Sequence, residues 1–226
     1  MRAESNALIA EIEADARETA AWTGRDRIAP RVIAALRKVR RERFVPDREV
    51  GRAYVNAPLP IGCGQTISQP FIVALMTDLL DLQPVDRVLE VGTGSGYQAA
   101  VLAELAGEVF STEVIPELAD VAKHALAREG YGNVALRVGD GGHGWPEHAP
   151  FDAIIVTAAA RDVPPALVEQ LRPGGRLVIP VGMPCGDQEL RVLHKTSDGK
   201  VTSRAVLPVA FVPLTGASSD MRDRDG

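Results

Sequence analysis

The sequence feature that most limits the fold is a short apolar run that ends in three alternating glycines. Residues 87–91 read Arg-Val-Leu-Glu-Val, and residues 92–96 read Gly-Thr-Gly-Ser-Gly before a helical pattern begins. Glycines between a strand and a helix permit a tight turn and a close approach to the backbone, and the N-terminus of the helix offers free N–H groups. A simple turn needs fewer glycines, so the pattern favours a binding loop for a nucleotide-type ligand.

Strand patterns recur after this loop, and helical patterns separate most of them. The strand patterns lie at residues 87–91, 109–114, 134–138, 152–157 and 176–181. The alternation predicts right-handed crossovers and a largely parallel α/β sheet that is covered on both faces. Two more strand patterns, 189–196 and 201–209, flank an Asp-Gly pair that is a strong hairpin signal. An antiparallel hairpin is therefore expected to close the doubly wound sheet.

The length suits a single domain with one full core, because 226 residues exceed the usual size of one domain only slightly. Within this domain, 1–226, residues 1–45 predict extra N-terminal helices and residues 71–216 predict the sheet core. Residues 46–70 break the periodic pattern with glycine and proline but keep apolar side chains, which indicates an ordered loop lining a site. The polar residues 217–226 are expected to fray.

Charge argues against a nucleic-acid partner. The chain has 25 basic and 30 acidic residues, a formal net charge of −5, whereas phosphate binding usually needs a basic excess or a basic face. The second predicted helix does carry a run of cations, which we interpret as a solvated surface. The run comprises Arg37, Lys38, Arg40, Arg41 and Arg43.

The location and redox environment follow from what the sequence lacks. It has no apolar stretch near the ~20 residues that span a bilayer, and no apolar core after its first residues, so we expect a cytoplasmic protein without a membrane partner. Cys63 and Cys185 are far apart and form no CxxC motif, which fits a reducing compartment. No metal site is expected.

Three acidic residues narrow the choice of ligand. Glu90 precedes the glycines, Glu113 ends the next strand pattern, and Asp140 follows the third. A dinucleotide fingerprint would need a glycine where Tyr97 stands, and a P-loop would need a Lys-Ser or Lys-Thr pair after the glycines. Carboxylates suit an adenosine ribose and a cationic amino-acid tail better than they suit phosphates. The residues therefore predict S-adenosyl-L-methionine as the cofactor.

Several motifs together resemble one family. Residues 58–70 read PLPIGCGQTISQP and residues 88–100 read VLEVGTGSGYQAA, and further matches lie at 139–141, 149–159 and 174–182. In these segments the chain is similar to protein-L-isoaspartate O-methyltransferases. The resemblance implies a Rossmann-like class I methyltransferase fold with seven strands. It also implies an enzyme that methylates the free α-carboxyl of L-isoaspartyl residues in damaged peptides and proteins, and we expect it to act as a monomer.

The matched motifs also imply roles for particular residues. Ser68 resembles the catalytic serine, expected to orient the substrate carboxylate by a hydrogen bond; its alternative role is to cap the following helix. Cofactor contacts are expected from Glu90, Gly92, Gly94, Ser95, Glu113, Asp140 and Gly141. Substrate contacts are expected from Ala57, Pro58, Ile61, Gln65, Thr66 and Thr215.

Two positions depart from the family pattern and keep alternatives open. Asn56 stands where the family often has Asp, and Ala210 stands where Arg is expected. One alternative is a class I methyltransferase for another substrate, although residues 157–160 lack the Pro-Pro-aromatic motif of base-methylating enzymes. A second is a module that binds the cofactor without turnover. An NAD-dependent oxidoreductase is disfavoured by Glu90 and Tyr97.

Overall fold

A computed structural model describes residues 2–183 and 186–216 of the chain. The predicted frayed tail, 217–226, and Cys185 lie outside the described residues. None of the helices within the described ranges has both the length and the apolar character that crossing a membrane requires.

The N-terminal part forms three helices, α1 (Arg2–Glu18), α2 (Ala20–Thr23) and α3 (Pro30–Lys38). Helix α1 packs against α4 (Pro70–Leu80), with Leu8, Ile9 and Ile12 buried on its inner face. The helix that carries the basic run ends at Lys38, because Val39 is extended, and Arg41 lies in a following 3-10 turn. Arg41 is completely buried, so the interpretation of all five cations as a solvated face is wrong for this residue.

The segment 46–70 is ordered and contains structure that its irregular sequence did not predict. A 3-10 helix covers Asp47–Arg52, and two short strands, β1 (Leu59–Gly62) and β2 (Gln65–Ile67), form an antiparallel hairpin of their own. The exposed Cys63 lies at the tip of this hairpin with a φ of 50°. Strands of four and three residues are too short to leave a recognisable alternation in the sequence.

Seven strands form the main sheet in the order β5-β4-β3-β6-β7-β8-β9. Strands β3 to β7 run parallel, whereas β8 is antiparallel to both of its neighbours, which confirms the predicted mostly parallel sheet with a C-terminal hairpin. The strands are β3 (Arg87–Val91), β4 (Glu108–Glu113), β5 (Val134–Val138), β6 (Phe151–Val156), β7 (Leu171–Gly182), β8 (Gln188–Lys195) and β9 (Val201–Val209).

Helices cover both faces of the sheet, as parallel strands require. Alternate strand residues enter two separate apolar clusters; Val88 joins the cluster with α1, α3 and α4, whereas Leu89 joins the cluster on the other face. The remaining helices are α5 (Tyr97–Ala103), α6 (Pro116–Arg128) and α7 (Pro165–Gln170). The strand order reverses at β3, so the fold leaves a crevice at the carboxyl end of this strand.

Candidate active site

The glycine loop lies in this crevice, between β3 and α5. Gly92, Gly94 and Gly96 have φ values of 94°, 55° and 84°, a region in which side chains are strained. A Cβ atom on Gly92 would lie 2.5 Å from Oγ1 of Thr157, whose hydroxyl donates to the carbonyl oxygens of Gly92 and Val91. The loop backbone is thus held against the end of β6, and a side chain at residue 92 would collide with Thr157.

Glu113 ends β4 beside this loop and is almost fully buried. Its Oε2 accepts a hydrogen bond of 2.7 Å from the backbone N–H of Gly94, and its Oε1 accepts one of 3.0 Å from that of Ile115. Two backbone donors therefore fix the carboxylate in one orientation. Each oxygen retains lone pairs, so the group can still accept hydrogen bonds from a ligand's hydroxyl groups.

A cavity in front of the loop brings together most of the predicted cofactor residues. Its walls include Gly92, Gly94, Ser95, Glu113 and Gly141. Ile115 and Leu118 add an apolar wall beyond Glu113. Gln65, Thr66, Ser68 and Thr215, which the sequence assigned to catalysis or to substrate, also line the cavity. A glycine cradle, a fixed carboxylate and an apolar wall suit a nucleoside, so these residues fit the predicted cofactor.

Glu90 does not line this cavity, in contrast to the prediction that it contacts the cofactor. Its side chain is completely buried beneath the glycine loop, where Oε2 accepts a hydrogen bond from the hydroxyl of Ser111 and that hydroxyl also pairs with Thr93. The other oxygen has no hydrogen-bond partner within the described part of the chain. Burial, reinforced by the nearby negative charge of Glu113 and opposed by Ser111, raises the pKa of Glu90 to about 8.

This pKa makes stability depend on pH. Folding raises the pKa of Glu90 from 4.5 to about 8, so between these values the folded state binds more protons than the unfolded state, and stability falls as pH rises. We expect Glu90→Gln to remove that decline and to gain stability relative to the parent protein by roughly 1 kcal/mol or more between pH 5.5 and pH 8. Urea unfolding at both pH values measures the difference. Glu117→Gln, on the exposed side of α6, is the control; equal pH slopes for parent and Glu90→Gln would contradict the assignment.

Asp140 is also set back from the cavity wall. Its Oδ1 accepts a 2.8 Å hydrogen bond from the N–H of Gly142 and so caps a short 3-10 turn. The neighbouring Gly141 does reach the cavity, and a Cβ atom there would lie 2.3 Å from Cγ1 of Val91. Gly141 is therefore placed to contact a ligand in the cavity, whereas Asp140 is not among the residues that line it, and its cofactor contact stays a prediction.

Ser68 lies where this cavity meets a second groove. Both are lined by Thr66, Ser68, Thr157 and Val212. Within the described ranges no residue hydrogen-bonds to Oγ of Ser68, and the capping position of α4 is Gln69, without a side-chain hydrogen bond. The alternative role of Ser68 as the cap of that helix is therefore wrong, and its hydroxyl group is available to a ligand.

The second groove, here called the peptide groove, has three walls. Helix α1 supplies one, the start of α4 supplies another, and the end of β9 with the chain that follows it supplies the third. Its further lining residues are Asp15, Glu18, Thr19, Pro58, Gln69, Phe71, Ile72 and Leu207 to Phe211. Pro58 and Ala210 thus border the groove, whereas Ala57 and Ile61 line neither space. Instead, Cδ1 of Ile61 approaches the glycine loop beside Gly94.

The hydrogen bonds of Asn56 explain why an amide stands at this position instead of the aspartate of the family pattern. Its Nδ2 donates a 2.8 Å hydrogen bond to Asp15 of α1, and its Oδ1 accepts a 3.1 Å bond from the N–H of Phe71 in the first turn of α4. An aspartate could accept from Phe71 but would place a second carboxylate against Asp15. The amide therefore joins α1 to the site. No sequence motif indicates this role, because the partners are 41 residues apart.

Comparison with known proteins agrees with this geometry. Residues 23–219 match the family model described as Protein-L-isoaspartate(D-aspartate) O-methyltransferase, so α1 lies before the matched region. The chain is 56% identical over 209 residues to Protein-L-isoaspartate O-methyltransferase 2 of Syntrophobacter fumaroxidans, covering 92% of this chain and 85% of that protein. It is 57% identical over 204 residues to the Anaeromyxobacter dehalogenans (strain 2CP-C) Protein-L-isoaspartate O-methyltransferase, covering 88% and 96%.

Two solved structures share the fold. A protein-L-isoaspartate O-methyltransferase superimposes with a TM-score of 0.85 at 27% identity, over 99% of this chain and 69% of that one. A Plasmodium falciparum protein described as a putative protein-L-isoaspartate O-methyltransferase, in complex with S-adenosyl-L-homocysteine, gives a TM-score of 0.74 at 22% identity, over 92% and 98%. The second match supports the fold alone.

Proposed function

The chain belongs to the protein-L-isoaspartate(D-aspartate) O-methyltransferase family, and we propose that its cavity and its peptide groove hold the two substrates of that reaction on either side of Ser68. The enzyme transfers a methyl group from S-adenosyl-L-methionine to the free α-carboxyl of L-isoaspartyl residues in damaged proteins. The observation that carries the site assignment is the position of Ser68, whose available hydroxyl group stands where both spaces meet.

The cavity is assigned to S-adenosyl-L-methionine, which supplies an electrophilic methyl group on a sulfonium when it is bound. In this assignment Gly92 and Gly94 let the ligand approach the loop backbone, and the carboxylate of Glu113 accepts hydrogen bonds from the ribose hydroxyls. Ser95, Gly141 and Thr215 complete the walls. The buried Glu90 holds the loop from beneath through Ser111 and Thr93.

The peptide's carboxylate needs alignment more than activation. A free α-carboxyl has a pKa of roughly 3.5 and is ionised at neutral pH, so no general base is needed to make it a nucleophile. In the proposed site, Ser68 donates a hydrogen bond to one carboxylate oxygen and leaves the other free to face the cofactor cavity. Holding two reacting atoms in line can supply most of the rate enhancement of such a transfer.

Glu113→Gln tests the cofactor assignment. The amide can orient its NH₂ group toward the N–H of either Gly94 or Ile115, so one of the two hydrogen bonds is replaced by a contact between donors. We expect the affinity for S-adenosyl-L-homocysteine to fall about 10- to 100-fold, the cost of one or two charge-assisted hydrogen bonds. Isothermal titration calorimetry measures the change. Glu117→Gln serves again as the surface control; an affinity within twofold of the parent for Glu113→Gln would refute the ribose contact.

The activity itself is tested with two peptides that differ only in an isoaspartyl or an aspartyl linkage. With methyl-labelled S-adenosyl-L-methionine, we expect base-labile label on the isoaspartyl peptide and none on the aspartyl peptide. Label on neither peptide, with the cofactor still bound, would instead support a binding module or a different substrate. The monomeric state and the cytoplasmic location stay predictions. Sedimentation of the purified chain in an analytical ultracentrifuge tests the monomeric state.

A further inference from the structure

Arg41 is a buried cation that the proposed mechanism leaves unused. Its side chain is completely inaccessible, between the 3-10 turn that contains it and the segment 46–70. Nε donates a 3.0 Å hydrogen bond to the carbonyl oxygen of Ala53, and Nη2 donates a 2.7 Å bond to the carbonyl oxygen of Ser68. The guanidinium carbon lies 4.8 Å from the ring centroid of Tyr97, a residue of the cofactor cavity wall.

This placement is costly for a cation. Burial lowers the pKa of Arg41 to about 10, which still leaves it charged at neutral pH. No carboxylate forms an ion pair with it in the part of the chain that the structure describes, although the adjacent Arg40 pairs with Glu129 at the surface. Burying an ion without a counter-ion has a large desolvation penalty, so a residue that served packing alone would be better apolar.

Arg41 contacts both the segment 46–70 and the helix that follows the glycine loop. Ala53 and Ser68 lie 15 residues apart, so one planar guanidinium ties the residue that follows the 3-10 helix Asp47–Arg52 to the end of the segment. The same group packs over the first residue of α5, which follows the glycine loop. Oγ of Ser68 has no hydrogen bond of its own to a described residue, so the backbone that Arg41 holds is what places the Ser68 side chain at the junction of the two spaces.

We infer that Arg41 is a positioning residue. It holds the backbone of Ser68 in place beside the cofactor cavity and thereby affects methyl transfer through the Ser68 hydroxyl. The inference rests on the proposed function of Ser68. It assigns to Arg41 no contact with either substrate, since the side chain is inaccessible. An apolar side chain could fill the same volume, but it could not bond to the two carbonyl oxygens at once.

A double-mutant cycle separates positioning from simple stabilisation. Arg41→Met and Arg41→Lys are each made in the parent protein and in Ser68→Ala, and Arg40→Met is the matched control on the adjacent arginine. For each variant, kcat and KM are measured with the isoaspartyl peptide, and the active fraction is fixed by stoichiometric titration with S-adenosyl-L-homocysteine. Normalising to the active fraction removes losses that arise from unfolded protein.

In the parent background we expect Arg41→Met to lower kcat about 30- to 100-fold, as small displacements of a reacting group do, and to change KM less. Arg41→Lys keeps the charge and one hydrogen bond, so it recovers part of the loss. In the Ser68→Ala background the same substitutions should change kcat by less than about threefold, because the group they position is gone.

Three results would overturn this inference. Equal losses in both backgrounds would make Arg41 a structural residue, and an unchanged kcat for Ser68→Ala would remove the group through which it acts. A parent-like kcat for both Arg41 variants would show that Arg41 does not affect methyl transfer. If Arg41→Met does not fold, the Arg41→Lys pair completes the cycle. Failure of the parent protein to methylate the isoaspartyl peptide would be a different outcome, which contradicts the proposed function itself.

Discussion

Gly92→Ala is expected to lower the affinity for S-adenosyl-L-homocysteine more than 100-fold. Two independent costs combine at this position. The φ of 94° is strained for alanine, and the added Cβ would lie 2.5 Å from Oγ1 of Thr157. Relief requires Thr157 to break its hydrogen bonds to the loop or requires the loop to move into the cavity. Either change alters the surface that the ligand would approach.

The measurement is calorimetric titration of folded protein, with circular dichroism to verify the fold. Gly51→Ala is the matched control, because Gly51 lies in the 3-10 helix with an ordinary φ and has nothing within 4 Å of an added Cβ. We expect this control to bind like the parent protein. An affinity for Gly92→Ala within about threefold of the parent would mean that the ligand does not approach this loop, and the cofactor assignment would fail.

Ser68→Ala is expected to lower kcat for the isoaspartyl peptide about 10- to 100-fold, the range for losing one hydrogen bond to a charged group. The affinity for S-adenosyl-L-homocysteine should stay within about twofold, because the hydroxyl faces the junction of the two spaces and makes no hydrogen bond to the described cavity residues. Stability should change little, since Ser68 caps no helix.

Steady-state kinetics with the isoaspartyl peptide distinguishes this role from cofactor binding. Ser203→Ala, on the exposed edge strand β9, is the control for the substitution itself. A fall in cofactor affinity as large as the fall in kcat would place Ser68 in the cofactor site instead. An unchanged kcat would show that the substrate carboxylate is oriented by another group; Thr66 and Thr157 are the other hydroxyl-bearing residues that line both spaces.

The N-terminal helix α1 forms part of the wall of the peptide groove. Helix α1 lies before the region matched by the family model, yet Asp15 and Glu18 stand in the wall of the groove. The Asn56 amide fastens this helix to the first turn of α4, next to Ser68. The extension is therefore part of the proposed substrate site and packs on the core at the same time.

The main sheet and the binding loop could be predicted from local sequence patterns. Alternating strand and helix patterns predicted all seven strands of the main sheet, because buried strands and amphipathic helices are local features of a sequence. Six strands agree to within one residue, whereas β7 begins at Leu171, five residues before its predicted start. The glycines at 92, 94 and 96 and the acid at 113 were also predictable, since chain order alone brings the carboxyl ends of parallel strands to one edge.

Which charged side chains reach the site depends on tertiary packing and could not be predicted. Glu90 and Val91 are neighbours on a strand with both faces buried, so hydrophobicity could not show that Glu90 points beneath the loop. Arg41 lies in a basic run that looks no different in sequence from an exposed one. Its burial depends on hydrogen bonds to carbonyl groups 12 and 27 residues away. Such contacts arise when distant segments of the chain pack together, and local sequence patterns do not predict that packing.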